Sequence, residues 1–318
     1  MLKIPAPNEI KNAHSRIRPF IHHTPVLTSS NINSVFDTEC FFKCENFQKA
    51  GAFKYRGASN AVLSLKTEEA LKGVATHSSG NHAGALALAA KQRNIPCHVV
   101  MPSTAPQPKI DAVRHYGAQI TFCEPTLKSR EETLDKVISV TKATIIHPYN
   151  NFNVICGQAT AALELLEEVP GLDIILAPVG GGGLLSGTAL SSGYFGKKIS
   201  VYGCEPAGAD DAYRSIKLGS IVPSVNPETI ADGLLTSLCD LTFTIIKDHI
   251  HDILTVSEVS IIKSMFLIWE RMKIVVEPSA AVTLAAVMEN KDLFRGKRIG
   301  IILSGGNANL RNLPFYLI

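Results

Sequence analysis

The sequence predicts an α/β protein built on parallel sheets, and three observations carry that expectation. Short apolar runs alternate with helical stretches of about 11–15 residues, the beat that parallel strands joined by right-handed crossovers require. The alternation comes in two blocks, one over 72–147 and one after Asn151. Three of the strands end in glycine-bearing polar turns, and parallel α/β sheets bind ligands beyond the carboxyl ends of their strands.

Before residue 70 the chain offers a strand at 40–44 and a helix at about 52–65. The run 74–77 is the first strand of the inner block, followed by the alanine- and leucine-rich helix 81–93. Strand 97–101 comes next, then a helix over 106–116 with proline near its first turn. After strand 119–123, Ser129-Arg-Glu-Glu132 reads as a capping box opening a helix to about Ala143, and 144–147 is a fourth strand. Past Asn151, a helix over 154–168 leads to strand 173–179, a glycine run, another helix and strand 199–203. Strand 253–256, a helix opened by Ser257, a helix from Pro278 and strand 298–303 complete the series. The expectation is a small α/β domain at 72–147, inserted into a large one built from 1–71 and 148–318.

Composition excludes several function classes. The 318 residues are 46% hydrophobic and 19% charged, enough to bury a sizeable core and too apolar for a disordered chain. Lysine plus arginine is 31 and aspartate plus glutamate 28, a net charge of +3 with no basic run, which predicts neither a nucleic-acid nor a membrane partner. The stretch 174–196 is uncharged and long enough to span a bilayer, but Pro178 and four successive glycines would ruin a lipid-exposed helix. Seven scattered cysteines without a CxxC read as reduced thiols, and the opening Met1-Leu-Lys-Ile-Pro-Ala-Pro lacks a signal-peptide core. A cytoplasmic protein is expected.

The turns at the strand ends hold the candidate chemistry. Ser78-Ser79-Gly80-Asn81-His82 follows strand 74–77, Gly180, Gly181, Gly182 and Gly183 follow strand 173–179, and Ser304-Gly305-Gly306-Asn307 follows strand 298–303. The four-glycine turn opens a helix, so its amides can converge on a phosphate, although a tightly packed turn explains it equally well. It is neither a P-loop nor a GxGxxG turn. Lys54, between Phe53 and Tyr55 at a helix start, is either a solvated surface charge or a desolvated amine suited to Schiff-base chemistry. Glu205 and Asp211 flank Pro-Ala-Gly-Ala-Asp: two carboxylates and a backbone carbonyl suit a hard cation, while ordinary acids at a helix start account for the spacing as well. His22-His23 and Cys40-xxx-Cys44 read as non-functional, and His249-x-His251 as alternation along a strand.

Asn46-Phe-Gln-Lys-Ala-Gly-Ala-Phe-Lys54-Tyr-Arg-Gly and the three turns stand in an order and spacing that resembles the serine/threonine dehydratase and serine racemase family of fold-type II pyridoxal-phosphate enzymes, with the tryptophan synthase β-like fold. The likeness runs from about Thr24 to Asn307. Phe42-Lys-Cys-Glu-Asn-Phe-Gln48, Thr229-Ile-Ala-Asp-Gly233 and Arg271-Met-Lys-Ile-Val-Val-Glu-Pro278 resemble serine racemases especially. The resemblance implies two parallel-sheet α/β domains with pyridoxal phosphate in the cleft between them. By the same likeness, Lys54 bonds the cofactor, Phe53 packs beside its ring, and Gly180, Gly181, Gly182 and Gly183 cradle its phosphate. Asn81 meets the ring hydroxyl and Ser304 faces the pyridine nitrogen. Ser78, Ser79, Gly80, Asn81 and His82 grip the substrate carboxylate, with Ser79 on the face opposite Lys54. Glu205, the carbonyl of Ala209 and Asp211 match a Mg²⁺ or Ca²⁺ site.

The implied activity is a lyase converting L-threonine or L-serine to a 2-oxo acid and ammonia. Serine racemase and a hydroxyaspartate ammonia-lyase are the alternatives, Arg130 being the candidate partner for a second carboxylate. Ser29, Ser30, Lys49, Lys109 and Asn307 resemble parts of a site for an ATP effector between the subunits of a homodimer. Gly84 departs from the serine racemase pattern, and Tyr149 and Leu235 from that of animal racemases, which weighs against racemisation and nucleotide activation more than against the pyridoxal chemistry.

Overall fold

A computed structural model describes residues 2–78, 80–105 and 107–317. Among the described residues are ten strands: β1 (Val26–Leu27), β2 (Glu39–Cys44), β3 (Val74–His77), β4 (Cys97–Pro102), β5 (Gln119–Cys123), β6 (Thr144–Ile145), β7 (Ile174–Pro178), β8 (Ser200–Pro206), β9 (Asp252–Val256) and β10 (Arg298–Leu303). They form two sheets. One has the order β5-β4-β3-β6 and the other β1-β2-β10-β7-β8-β9. Every pairing is parallel except the short β1 against β2. The chain is thus two parallel-sheet α/β domains, the smaller sheet falling between the strands of the larger one in sequence.

Register explains why the turns meet. Leu303 pairs with Cys44 and Pro178 with Cys204, so the carboxyl ends of β2, β10, β7 and β8 lie along one rim. In β7 all five residues are buried, the continuous apolar pattern of a strand covered by helices on both faces. Burying each such leucine or isoleucine contributes about 1.5–3 kcal/mol. The helix Phe152–Glu168, capped by the Asn151 side chain at Val154 N–H (3.0 Å), is buried from Val154 through Leu165. Its neighbours are Gly183–Phe195 on one side and Lys54–Leu63 on the other.

Element ends differ from the sequence reading in informative places. The capping box expected at Ser129 does not start its helix: Thr126 does, accepting Ser129 N–H at 3.1 Å, and the helix spans Leu127–Thr141. Ser129 Oγ instead takes the amide of Glu124 at 3.2 Å. His249 ends the helix Asp240–His249 and His251 precedes β9, so that pair does not alternate along a strand. All seven cysteines are free. Among the described residues no helix is long and apolar enough to cross a membrane.

A buried charge cluster joins the helix Lys54–Leu63 to the larger sheet. The Arg56 guanidinium meets Glu45 at 2.7 and 2.8 Å and Glu164 at 2.7 and 2.7 Å, with all three side chains buried. Its remaining contacts are the hydroxyls of Thr160 (3.2 Å) and Thr24 (3.3 Å). Lys43 lies 2.9 Å from both Glu164 and Glu168. His23 also approaches Glu168, at 3.5 Å, but the Lys43 ammonium beside both glutamates supplies the positive charge there. Burial pushes Glu164 up, yet the hydrogen bonds from Arg56, the His14 ring 3.4 Å away and the charges of Arg56 and Lys43 overcome it and hold the carboxyl well below its usual range.

Glu164→Gln leaves Arg56 and Lys43 short of a buried partner, and removing one member of such a pair costs about 3–5 kcal/mol. A urea titration should show that loss as a lower midpoint with an unchanged slope. Because the native Glu164 pKa is depressed, the difference from wild type should be complete above the unfolded value of about 4.3 and shrink as the pH falls below it. An equal midpoint at neutral pH would show the cluster to be dispensable.

Candidate active site

Lys54 opens the helix Lys54–Leu63 at the rim of the larger sheet. The turn before it is tied down by backbone: Phe53 N–H donates to Ser304 O at 3.0 Å and Gly306 N–H to Gly51 O at 2.9 Å. Lys54 Nζ donates to Pro148 O at 3.1 Å and lies 5.1 Å from the centre of the Phe53 ring. Burial pushes its pKa down to about 8 against the opposing charge of Glu277.

Residues after Pro148 connect this lysine to the glycine turn. All four glycines are buried, and Gly183 begins the helix Gly183–Phe195. A Cβ on Gly181 would fall 2.2 Å from the Tyr149 ring, and one on Gly183 3.0 Å from Tyr149 Cβ. Gly182 has φ +84°, a conformation that glycine adopts without strain. The glycines let Tyr149 close directly onto the backbone at the start of a helix, where N–H groups favour an anion.

The third turn belongs to the smaller sheet. Gly80 N–H donates to Ser78 Oγ at 3.3 Å, and Asn81 starts the helix Asn81–Arg93. Ser79 lies outside the described residues. Asn81 Nδ2 donates to Glu277 Oε1 at 2.8 Å, while Asn81 Oδ1 accepts from Asn307 Nδ2 at 2.9 Å. His82 is buried with Nε2 2.9 Å from Ile146 O, which ties the loop to the sheet. Burial, then the Lys54 charge, lowers its pKa to about 3, so the ring is neutral. Phe53, Lys54, Asn81, the four glycines and Ser304 are therefore brought into one constellation.

Sequence reasoning gave Glu277 no role. It stands 196 residues from Asn81, and its only signal was a place in the quoted motif ahead of Pro278. The carboxyl is buried at the start of the helix Pro278–Glu289, its N–H bonded to Gly305 O at 3.0 Å. Burial chiefly, with the charge of Asp232 behind it, raises its pKa to about 7.

Further out, Arg130 is partly buried, and its Nε has no hydrogen-bond partner among the described residues. It sits near enough to His77 for its charge to count there, and His77 stands edge-on to His147 at 6.1 Å. Glu205 accepts Ala212 N–H (3.0 Å) and Tyr213 N–H (2.9 Å) at the start of the helix Asp211–Leu218. Neither Asp211 oxygen has a partner among the described residues. Burial raises Glu205 to about 8 and Asp211 to about 6, and Ala209 is buried in the short turn between them. Of the residues likened to a nucleotide site, Ser29 spends its hydroxyl on Ile32 N–H, Lys109 pairs with Asp232, and Asn307 bonds Ala50 O, one residue from Lys49.

Residues 17–305 match the protein family described as pyridoxal-phosphate dependent enzyme. The chain is 52% identical to a β-hydroxyaspartate dehydratase of Paracoccus denitrificans, covering 98% of this chain and 99% of that one. The crystal structure of serine racemase from Dictyostelium discoideum superposes with a TM-score of 0.91 at 51% identity, over 95% of this chain and 98% of that chain. A T.th. threonine deaminase gives a TM-score of 0.92 at 39% identity, over 96% and 99%. The residues present fit pyridoxal phosphate: a desolvated amine for its carbonyl and a side-chain-free helix start for its phosphate.

Gly181→Ala puts a methyl group where the Tyr149 ring stands. The expected result is loss of pyridoxal phosphate retention, read as loss of visible absorbance after gel filtration. In a Tyr149→Ala background the same change should be much less harmful, because the space is free. Equal damage in both backgrounds would remove Tyr149 from the argument.

Proposed function

We propose that this chain, which belongs to the family of pyridoxal-phosphate dependent enzymes, is a lyase that converts L-serine or L-threonine to the 2-oxo acid and ammonia. The observation that carries the reading is Lys54, an amine lowered to about 8 and seated between Phe53 and the Pro148 carbonyl beside a glycine turn. Pyridoxal phosphate, when bound, supplies an electron-withdrawing ring that acidifies the substrate Cα–H. Lys54 Nζ takes that proton. With a pKa near neutrality it keeps a far larger neutral fraction than an ordinary lysine, as a general base must. The start of the helix Asn81–Arg93, with Ser78 and Gly80 ahead of it, seats the substrate carboxylate. His82 holds that loop from behind. Asn81, gripped by Glu277 and Asn307, offers its amide to the ring hydroxyl, and Ser304 offers a neutral hydroxyl to the ring nitrogen. The Cβ–O bond breaks and the hydroxyl leaves as water with the proton that Lys54 holds, and the enamine set free takes up water to give the 2-oxo acid and ammonia.

One observation favours a second substrate. The Arg130 Nε, which has no partner among the described residues, suits a second carboxylate, as in β-hydroxyaspartate, the substrate in the name of the Paracoccus relative. Racemisation would make a separate demand, an acid on the opposite face, and Ser79 is the residue proposed for it. The buried Asp211 carboxylate, without a partner among the described residues, supports a divalent cation held with Glu205 and the Ala209 carbonyl, since an uncompensated buried charge is costly. A homodimer belongs to the same reading.

A steady-state panel of serine, threonine and hydroxyaspartate, with oxo acid and enantiomer measured together, tests the reading. Lys54→Ala should abolish turnover of all three, and a variant retaining normal elimination would end the proposal. Arg130→Ala should cut kcat/KM for hydroxyaspartate about 10–100-fold, the worth of a charge-assisted hydrogen bond, and spare serine. Ser79→Ala should erase D-serine formation while dehydration continues at a reduced rate.

Chelation tests the cation separately. EDTA should lower the melting temperature, and Mg²⁺ or Ca²⁺ should restore it, because a ligand of the native state alone stabilises that state. Superimposable melting curves would leave Glu205 and Asp211 as helix-end acids.

A further inference from the structure

We infer that Gln158, remote in sequence and absent from the motif set, is a positioning residue that sets the reach and environment of Lys54; the inference rests on the lyase reading. The helix carrying Lys54 starts irregularly. Tyr55 N–H donates to Ala52 O at 3.2 Å and Arg56 N–H to Phe53 O at 3.0 Å, both the tight i→i−3 bonds of a 3₁₀ turn. Gly57 N–H would ordinarily make the first α-helical bond, to Phe53 O. It donates instead to the Gln158 side-chain oxygen, at 3.1 Å.

Close helix crossing makes that substitution possible. A Cβ on Gly57 would stand 2.4 Å from Gln158 Nε2, and one on Gly157 would stand 2.6 Å from Gly57 Cα. The two helices therefore meet glycine on glycine, which brings the fully buried Gln158 amide against the first turn. Its oxygen fits that N–H, while its nitrogen has no partner among the described residues. An apolar side chain of the same length would fill the space but could not accept the bond. The arrangement thus supplies a specific hydrogen bond, at the cost of an unsatisfied donor, one turn from the reacting amine. Among the described residues the Gln158 side chain bonds Gly57 and not Lys54. It acts through the turn that aims Nζ at Pro148 O and keeps it from water.

The test uses Gln158→Met, which keeps the volume and loses the acceptor, Gln158→Glu, which keeps the acceptor, and Thr160→Val. The last removes a hydroxyl of the same helix that accepts from Arg56 at 3.2 Å and donates to Gly157 O at 2.7 Å, and it leaves the Gln158–Gly57 bond in place. On the full chain stripped of cofactor, competitive acetylation across pH, read by mass spectrometry at Lys54, gives the titration midpoint. Gln158→Met should move it from about 8 toward the ordinary lysine value of about 10.4; Gln158→Glu, whose new carboxylate would itself raise a nearby ammonium, is read by kcat, which should return toward wild type. In the loaded enzyme Gln158→Met should lower kcat on the order of tenfold at unchanged KM, the signature of a misplaced base. A wild-type midpoint and kcat in Gln158→Met would overturn the inference. So would an equal shift in Thr160→Val, which would mean general loosening of the helix pair. A midpoint that moves as expected in a chain that eliminates water from none of the substrates would retire the lyase and leave this role for Gln158 standing.

Discussion

Enclosure of Arg56 by Glu45 and Glu164 is the constraint on which the rest of the site depends. An ion cluster of this kind is poor evidence for stability in itself, because desolvating the charges offsets most of their attraction. What it does impose is selectivity among arrangements. Each carboxylate takes two short bonds from the guanidinium, one coming from the turn after β2 and one from the helix Phe152–Glu168. A helix rotated or slid along its axis would leave at least one buried charge unpaired. Arg56 is two residues from Lys54, so fixing the guanidinium fixes the face of the helix start that looks into the cleft.

Around that fixed point the cleft is assembled largely from main chain. Phe53 bonds the turn after β10, Glu277 bonds Gly305, and Gly51 bonds Gly306, so three chain segments distant in sequence share one backbone network. The ionisable groups inside it are all pushed by burial toward their neutral forms: Lys54 to about 8, Glu277 to about 7, His82 to about 3. In the proposed reading this has a use. A phosphate dianion and a substrate carboxylate enter a cleft in which His82 is neutral and the charges on Lys54 and Glu277 are weakened by burial, so helix starts and backbone N–H groups share in their recognition.

What was legible in the sequence was local. Alternating strands and helices, glycine turns at strand ends, and Lys54 in its motif are written in contiguous residues, and the structure gathers the turns of both sheets around one site. The supporting partners were not legible, because each is a contact across the fold: Glu277 with Asn81 over 196 residues, Gln158 with Gly57 over 101, Glu164 with Arg56 over 108. The helix beginning at Leu127 shows the same limit on a smaller scale. Ser129 and Glu132 have the spacing of a capping box, but Thr126 sits where the chain leaves β5 and takes the role first. Tyr149 was noticed only as a departure from a pattern. Its reason, a ring lying on Gly181, needs the sheet that places the two together.

The two sheets divide the work unequally in the proposed reading. Lys54, the four glycines, Ser304 and Glu277 all follow from the larger sheet and its helices, whereas Ser78, Asn81, His82, His77 and Arg130 belong to the smaller one. Proton removal needs the first group in a fixed relation to the cofactor. Choice of substrate needs the second group to meet the carboxylate and side chain of the amino acid. A change in Arg130 or its neighbours can therefore alter which β-hydroxy amino acid is held without moving the base. In the proposed reading the chemistry resides in the first group and the selection in the second.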